Sequence, residues 1–238
     1  MQRIDKTLCS QGTFTRSGAA KLIRGGRVTV DGLVLRDPAA KINPVCAKIA
    51  VDGSLLRYRE HLYLMMNKPS GLLCVSRDSR AETVISRLPG EFKRPGLFPA
   101  GRLDKDTTGL VIITDDGDFG HRLTAPGKEI FKTYHAVLDS PLDGDEGLKF
   151  SAGIVLEDGT LCRPALFREL QGGEHPTVEI SICEGRYHQI KRMAASVGKM
   201  VILLKRIAIG RLFLDDTLPI GEYRELSGEE IALLFQNK

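Results

Sequence analysis

At 238 residues, with 42% hydrophobic and 27% charged side chains, the chain has the composition of an ordinary folded protein, long enough for one large domain or a large and a small one. No apolar run approaches membrane-spanning length, and Arg3, Asp5 and Lys6 fall where a secretory leader needs an apolar core, so neither a spanning segment nor a leader is expected. Five cysteines (Cys9, Cys46, Cys74, Cys162 and Cys183), an odd number without CxxC spacing, argue against a disulfide framework and against a zinc site, and favour a reducing cytosol.

The net charge of +4 is unevenly spread: residues 1 to 60 carry 11 Lys or Arg against 5 Asp or Glu, and the other 178 residues carry 23 against 25. A basic N-terminal module on a nearly neutral body suits a tether for a polyanion such as RNA, although a solvated surface has the same charge. Ile4 and Leu8 stand at helical spacing before a stop at Gly12. Thr15 is placed to cap a second helix whose Ala19, Ala20 and Ile23 share one face and whose Lys21 and Arg24 share the polar one. Gly18 inside that helix costs roughly 1 kcal/mol relative to Ala. Val28–Val30 and Leu33–Leu35 flank Asp31-Gly32, a two-residue hairpin signal. Residues 47 to 51 add a strand before Asp52-Gly53, and residues 54 to 60 read as a linker.

Beyond His61 the chain is strand-rich. Strands are predicted over 62–66, over 131–139 with period-two alternation, over 177–183, over 200–204 and over 212–214. A helix is predicted from about Tyr187 to Val197, with Ile190, Met193, Ala194 and Val197 as its core stripe and Gly198 as its stop. Ser227 and Glu230 form a capping-box pattern for a last helix. Strands in antiparallel-looking succession with interspersed helices indicate an α+β fold.

Within the stretch 101–110, GRLDKDTTGL, a carboxylate lies between glycines at the mouth of the apolar run Leu110–Ile113, where a sheet can hold it rigidly against a cleft. Two aspartates compete for that role, and Asp106 reads as the structural one, bonding loop amides beside Thr107 and Thr108. Tyr134 sits mid-strand, where core packing is the plain alternative to a role in a site. Lys191 lies on the helix face opposite the apolar stripe. His188 and His121 have no Cys or carboxylate at ligand spacing, so a metal is not expected; His188 is open to RNA contact or to a structural role.

Four segments in order, 68–71 (KPSG), 100–104 (AGRLD), 132–134 (KTY) and 184–193 (EGRYHQIKRM), resemble the bacterial ribosomal pseudouridine synthases, specifically the branch acting on small-subunit ribosomal RNA. The N-terminal RIDK, the TR at the second helix and IRGGRVTVDG across the hairpin resemble an S4 RNA-binding domain. The resemblance implies a small S4 module of two helices and a short β-hairpin over residues 1–58, followed by a catalytic domain over 60–238 built on a mixed, mainly antiparallel β-sheet with flanking helices. It further implies isomerisation of one uridine, uridine 516 of 16S ribosomal RNA, by a flipped-nucleotide mechanism with no cofactor and no metal. Asp104 corresponds to the catalytic aspartate, Tyr134 to the platform under the target base, and Lys191 to the cation paired with the aspartate. Leu204 corresponds to the apolar closure of the pocket; Arg102, two residues before the aspartate, is placed to contact RNA phosphate or support the flipped nucleotide, with a surface ion pair as the plain alternative. Arg3, Lys6, Arg16, Lys21, Arg24 and Arg27 are the implied RNA-facing residues of the S4 module. Ribosomal RNA, free or in a partly assembled small subunit, is the implied partner of a monomeric cytoplasmic enzyme. Two alternatives stay open: a synthase for 23S ribosomal RNA, and a non-catalytic S4-type assembly factor.

Overall fold

In the computed structural model, which describes residues 1–236, the first hairpin forms where Asp31-Gly32 places it. Both residues take left-handed backbone (φ 51° and 83°), the geometry that matches the twist of the flanking strands. The N-terminal elements are β1 (Gln2–Arg3), α1 (Ile4–Ser10), α2 (Arg16–Arg24), β2 (Val28–Val30), β3 (Leu33–Leu35), β4 (Lys41–Ile42), β5 (Ile49–Val51) and β6 (Ser54–Leu55). Thr15 caps α2 by accepting from the Gly18 amide at 3.1 Å. Gly18 therefore lies in the first turn, where a Cβ would crowd the capping oxygen at 3.1 Å. Ile4, Leu8, Ala19, Ile23, Val28 and Ile49 make the core of this unit, so the helical and strand periodicities converge on one cluster.

The expected linker over 54–60 begins as structure instead. Asp52-Gly53 is a second left-handed turn (φ 51° and 79°), so the chain doubles back and β6 pairs with β5. The segment Arg87–Leu97, distant in sequence, clusters with this unit. Its Arg94 guanidinium donates to the carbonyls of Arg59 (3.1 Å) and Glu60 (2.9 Å).

The second unit comprises Tyr63–Ser86 and the chain from Phe98 onward. Its strands are β7 (Tyr63–Lys68), β8 (Phe98–Pro99), β9 (Thr108–Thr114), β10 (Lys132–Leu138), β11 (Leu166–Gln171), β12 (Thr177–Ile182), β13 (Val201–Ile209), β14 (Leu212–Phe213) and β15 (Tyr223–Glu225). They form a nine-stranded sheet in the order β11-β12-β10-β13-β9-β7-β15, with β14 beside β13 and β8 beside β9. Helices α3 (Gly117–Thr124), α4 (Glu146–Ala152), α5 (Gln189–Ser196) and α6 (Gly228–Leu233) complete it, and the predicted capping box of Ser227 with Glu230 is present at α6. Met65, Leu110, Ile112, Phe119 and Ile209 lie in a buried apolar cluster that ties the central strands to α3.

The sheet is antiparallel except where β13 meets β9 in parallel, Lys205 opposite Thr108 and Arg206 opposite Gly109. The approach there is so close that a Cβ on Gly109 would fall 2.2 Å from the Arg206 carbonyl oxygen, and φ is 98°, so glycine is required. The strand predicted over 200–204 extends to Ile209. Lys205 and Arg206 look like a polar stop in sequence, but Arg206 is only 3% exposed and its Nε donates to the Leu110 carbonyl at 2.8 Å. The helix predicted from Tyr187 starts at Gln189, because His188 adopts left-handed backbone (φ 48°) as its N-cap.

Candidate active site

The loop over 101–107 leads into β9 beside that parallel junction, and a buried lysine holds it. Lys68, at the end of β7, is 0% exposed, and its ammonium donates to the carbonyls of Pro69, Asp104 and Lys105 at 3.1 Å each and of Thr107 at 2.8 Å. The Gly71 amide adds a bond to the Lys105 carbonyl at 2.8 Å. A cation surrounded by carbonyl oxygens is a strong internal clamp, because each bond is charge-assisted and shielded from water. Burial pushes the Lys68 amine below the ordinary lysine range, partly offset by nearby acidic groups. Lys68 thus fixes the backbone on which Asp104 stands.

The start of α5 is locked in a similar way. The buried Glu184 accepts from the Arg163 amide (2.9 Å) and from Gln189 Nε2 (2.7 Å), while Gln189 Oε1 accepts from the Arg186 amide at 2.9 Å. This closed set of bonds holds the turn 184–188 and obliges His188 into its left-handed conformation, at a cost of about 1 kcal/mol. As a result His188 Nε2 lies 3.5 Å from Asp104 Oδ1. Lys191, one turn along, points the same way.

Asp104, Tyr134, Lys191, Arg102 and Leu204 all line one cleft of about 410 Å³ in the second unit. Tyr134 and Leu204 are buried in its wall, Arg102 is exposed, and Asp104 and Lys191 are partly exposed. The remaining RNA-facing candidates, Arg3, Lys6, Arg16, Lys21, Arg24 and Arg27, belong to the first unit and are all exposed. Two of them are already engaged. Arg3 makes a two-bond pair with Asp5 (3.1 and 2.7 Å), and Arg27 makes one with Asp52 (2.7 and 2.6 Å).

Asp106 corrects the sequence reading. Both its carboxylate oxygens accept from Lys191 Nζ at 2.7 Å, whereas Lys191 reaches Asp104 only at 3.7 Å. Its carboxylate thus anchors the cation, and two residues 85 positions apart in sequence could not be paired by spacing. The hydrogen bond from Lys191 holds the Asp106 carboxyl below the usual carboxylate range. Asp104 is left with two positive or protonatable neighbours at 3.5 to 3.7 Å and no short bond to either, which keeps its oxygens free for a substrate.

Two further cations escaped the sequence reading. Arg206 stands opposite Tyr134 in the ladder, and its Nη2 is buried without a hydrogen-bond partner. Lys132, on the same strand as Tyr134, has its amine lowered to about 8, first by burial and then by Arg206. A lysine that is harder to protonate in the folded protein than in the unfolded chain makes folding less favourable while it is charged. Stability should therefore rise between pH about 8 and the ordinary lysine value near 10.5 as Lys132 deprotonates. We expect Lys132→Met to flatten the rise in thermal midpoint over that window relative to the parent; an identical rise in the variant would place its origin elsewhere.

Among the described residues, no group of three or more His, Cys, Asp or Glu is arranged to hold a metal ion. One cleft thus brings together the Asp104 carboxylate, a buried tyrosine, an anchored lysine and an apolar wall. Comparison with known proteins gives the class. The profile of the RNA pseudouridylate synthase family matches residues 62–196 and that of the S4 domain matches residues 2–44. The chain is 40% identical to an uncharacterized RNA pseudouridine synthase of Bacillus subtilis (strain 168), over 98% of both chains. It is 43% identical to ribosomal small subunit pseudouridine synthase A of Escherichia coli (strain K12), over 97% of this chain and 98% of that one. A crystal structure of a pseudouridylate synthase superposes with a TM-score of 0.67 at 36% identity, covering 98% of this chain and 100% of the other. The chain belongs to the RNA pseudouridylate synthase family and carries an S4 domain at its N-terminus.

Proposed function

We propose that this protein converts one uridine of small-subunit ribosomal RNA, uridine 516 in 16S numbering, to pseudouridine. The reaction breaks the N1–C1′ bond, turns the uracil and joins C5 to C1′, with the C5 hydrogen leaving as a proton and N1 gaining one. It is balanced without redox change or a second substrate. The observation that carries the reading is the convergence of Asp104, Tyr134, Lys191 and Leu204 on one cleft. The small-subunit assignment is supported by the 43% identity to relatives named for that activity.

In this reading the target nucleotide is turned out of the RNA into the cleft, where Tyr134 and Leu204 contact the faces of the uracil and exclude water. Asp104 is the reacting carboxylate. Attack at C1′, addition at C6 and abstraction of a sugar proton all require it ionised and directed at the nucleotide. Lys191, tethered to Asp106, holds its positive charge 3.7 Å from the Asp104 carboxylate without occupying it. Arg102 at the rim meets the phosphate backbone. Residues 1–58 act as the S4 tether and residues 60–238 perform the chemistry, in a monomeric cytoplasmic enzyme whose substrate is ribosomal RNA, free or within a partly assembled small subunit.

The direct test supplies the purified protein with small- or large-subunit ribosomal transcripts carrying tritium at uridine C5. Tritium released from the small-subunit transcript alone is the expected result; release from the large-subunit transcript alone would move the target, and release from neither RNA would remove the activity. The tether has its own test. Lys21 and Arg24 are exposed and lie one turn apart on α2, with no carboxylate bonded to either among the described contacts. Replacing both with Gln should make log K against log salt shallower by about 1 to 2, since each phosphate contact contributes about 0.7 to 0.9 to the slope. An unchanged slope would take the RNA away from this face of α2.

A further inference from the structure

Tyr187 is the least expected side chain at the cleft. It is aromatic and 76% exposed, yet its backbone lies in a side-chain-bonded turn, between Arg186, whose amide donates to Gln189 Oε1, and the left-handed His188. One face of its ring stacks on the His188 imidazole, with centroids 3.8 Å apart and planes 19° from parallel. The other face is left to solvent. At that exposure the ring contributes little to packing of the apolar core. It has the form of a stacking platform: one face backed by the imidazole and one face open.

Both rings line the same cleft as Asp104 and Tyr134, so the open face stands at its rim and not at its floor. A nucleotide that turns into the cleft leaves its neighbours in the strand without their stacking partner. A flat aromatic face at the rim restores that contact, and base stacking on protein aromatics is the usual way single-stranded RNA is gripped. We propose that Tyr187, backed by His188, stacks on an unpaired nucleobase adjacent to the target uridine and so reads the context of that uridine. The inference rests on the pseudouridine synthase reading for the identity of its ligand. It goes beyond that reading in assigning a second base-binding position, distinct from the one under Tyr134.

The arrangement also links this position to the reacting carboxylate. His188 bridges the two: its ring contacts Tyr187 on one side and its Nε2 faces Asp104 Oδ1 at 3.5 Å. A base seated on Tyr187 presses on the same imidazole that borders Asp104, so correct context and correct carboxylate placement are secured together.

The experiment uses the full chain and short ribosomal RNA fragments spanning the target uridine, with 2-aminopurine placed in turn at each neighbouring position. Its fluorescence is quenched by stacking on an aromatic ring and needs no turnover. With the parent, quenching is expected at one adjacent position; Tyr187→Ala should relieve it, and Tyr187→Phe should keep it. In kinetics on the unlabelled fragment, Tyr187→Ala should raise KM on the order of tenfold while kcat changes far less. An abasic nucleotide at the quenched position should raise KM for the parent by a similar factor and add little in Tyr187→Ala. Absence of Tyr187-dependent quenching at every position, or an unchanged KM in a folded Tyr187→Ala protein, would overturn the proposal. Tyr187-dependent quenching in an RNA that the parent never isomerises would uphold it and instead sink the assigned reaction.

Discussion

Asp104→Asn should abolish pseudouridine formation, lowering turnover by about 10⁴-fold or more, while leaving the fold and RNA binding in place. The side chain makes no short bond in the resting site: its nearest partners, His188 and Lys191, stand at 3.5 and 3.7 Å. Losing the charge should therefore cost less than about 1 kcal/mol of stability. Its backbone carbonyl, which accepts from Lys68, is untouched by the substitution. Binding should hold or tighten slightly, because one negative charge has been removed from a surface that meets a polyanion. Asp106→Asn should give a smaller loss. An amide oxygen can still accept one bond from Lys191, but the cation is then less firmly anchored beside Asp104. Single-turnover assays of both variants, with thermal unfolding alongside, separate the reacting carboxylate from the anchoring one. Near-parental turnover in a folded Asp104→Asn protein would refute the assignment.

The second large effect is expected at Lys68, which touches no substrate. Lys68→Met keeps most of the side-chain volume but leaves four carbonyls, those of Pro69, Asp104, Lys105 and Thr107, without their shared donor in a dry environment. Stability should fall by about 3 kcal/mol or more. The loop carrying Asp104 would relax, and a displacement of even about 1 Å at a reacting group costs on the order of 10²-fold in rate. The diagnostic pattern is a fall in kcat that persists at temperatures where the variant is fully folded, with KM little changed. A variant as stable and as active as the parent would mean that the lysine is not the clamp of this loop.

The chain disclosed its local features well. Asp31-Gly32, the Thr15 cap and the Ser227–Glu230 box depend on neighbouring residues alone, and each forms as its sequence predicts. The cleft residues were reachable because they fall in short motifs whose family resemblance carries their placement. What stayed hidden depends on contacts between distant segments. The burial of Lys68 follows from β7 running beneath a loop some 36 residues later, and a lysine before proline otherwise reads as a surface turn. Arg206 looks like the polar end of a strand until the parallel β9–β13 pairing encloses it. Lys191 faces two aspartates two residues apart, and only the fold decides that Asp106 takes the short bonds. The attachment of 87–97 to the N-terminal unit likewise has no local signal.

The most direct measurement is a pseudouridine map of ribosomal RNA from cells lacking this protein, complemented with the parent chain or with Asp104→Asn. The account expects one small-subunit uridine to lose its modification, to regain it with the parent and to stay unmodified with Asp104→Asn. An unaltered small-subunit map in the deletion, or full restoration by Asp104→Asn, would contradict it.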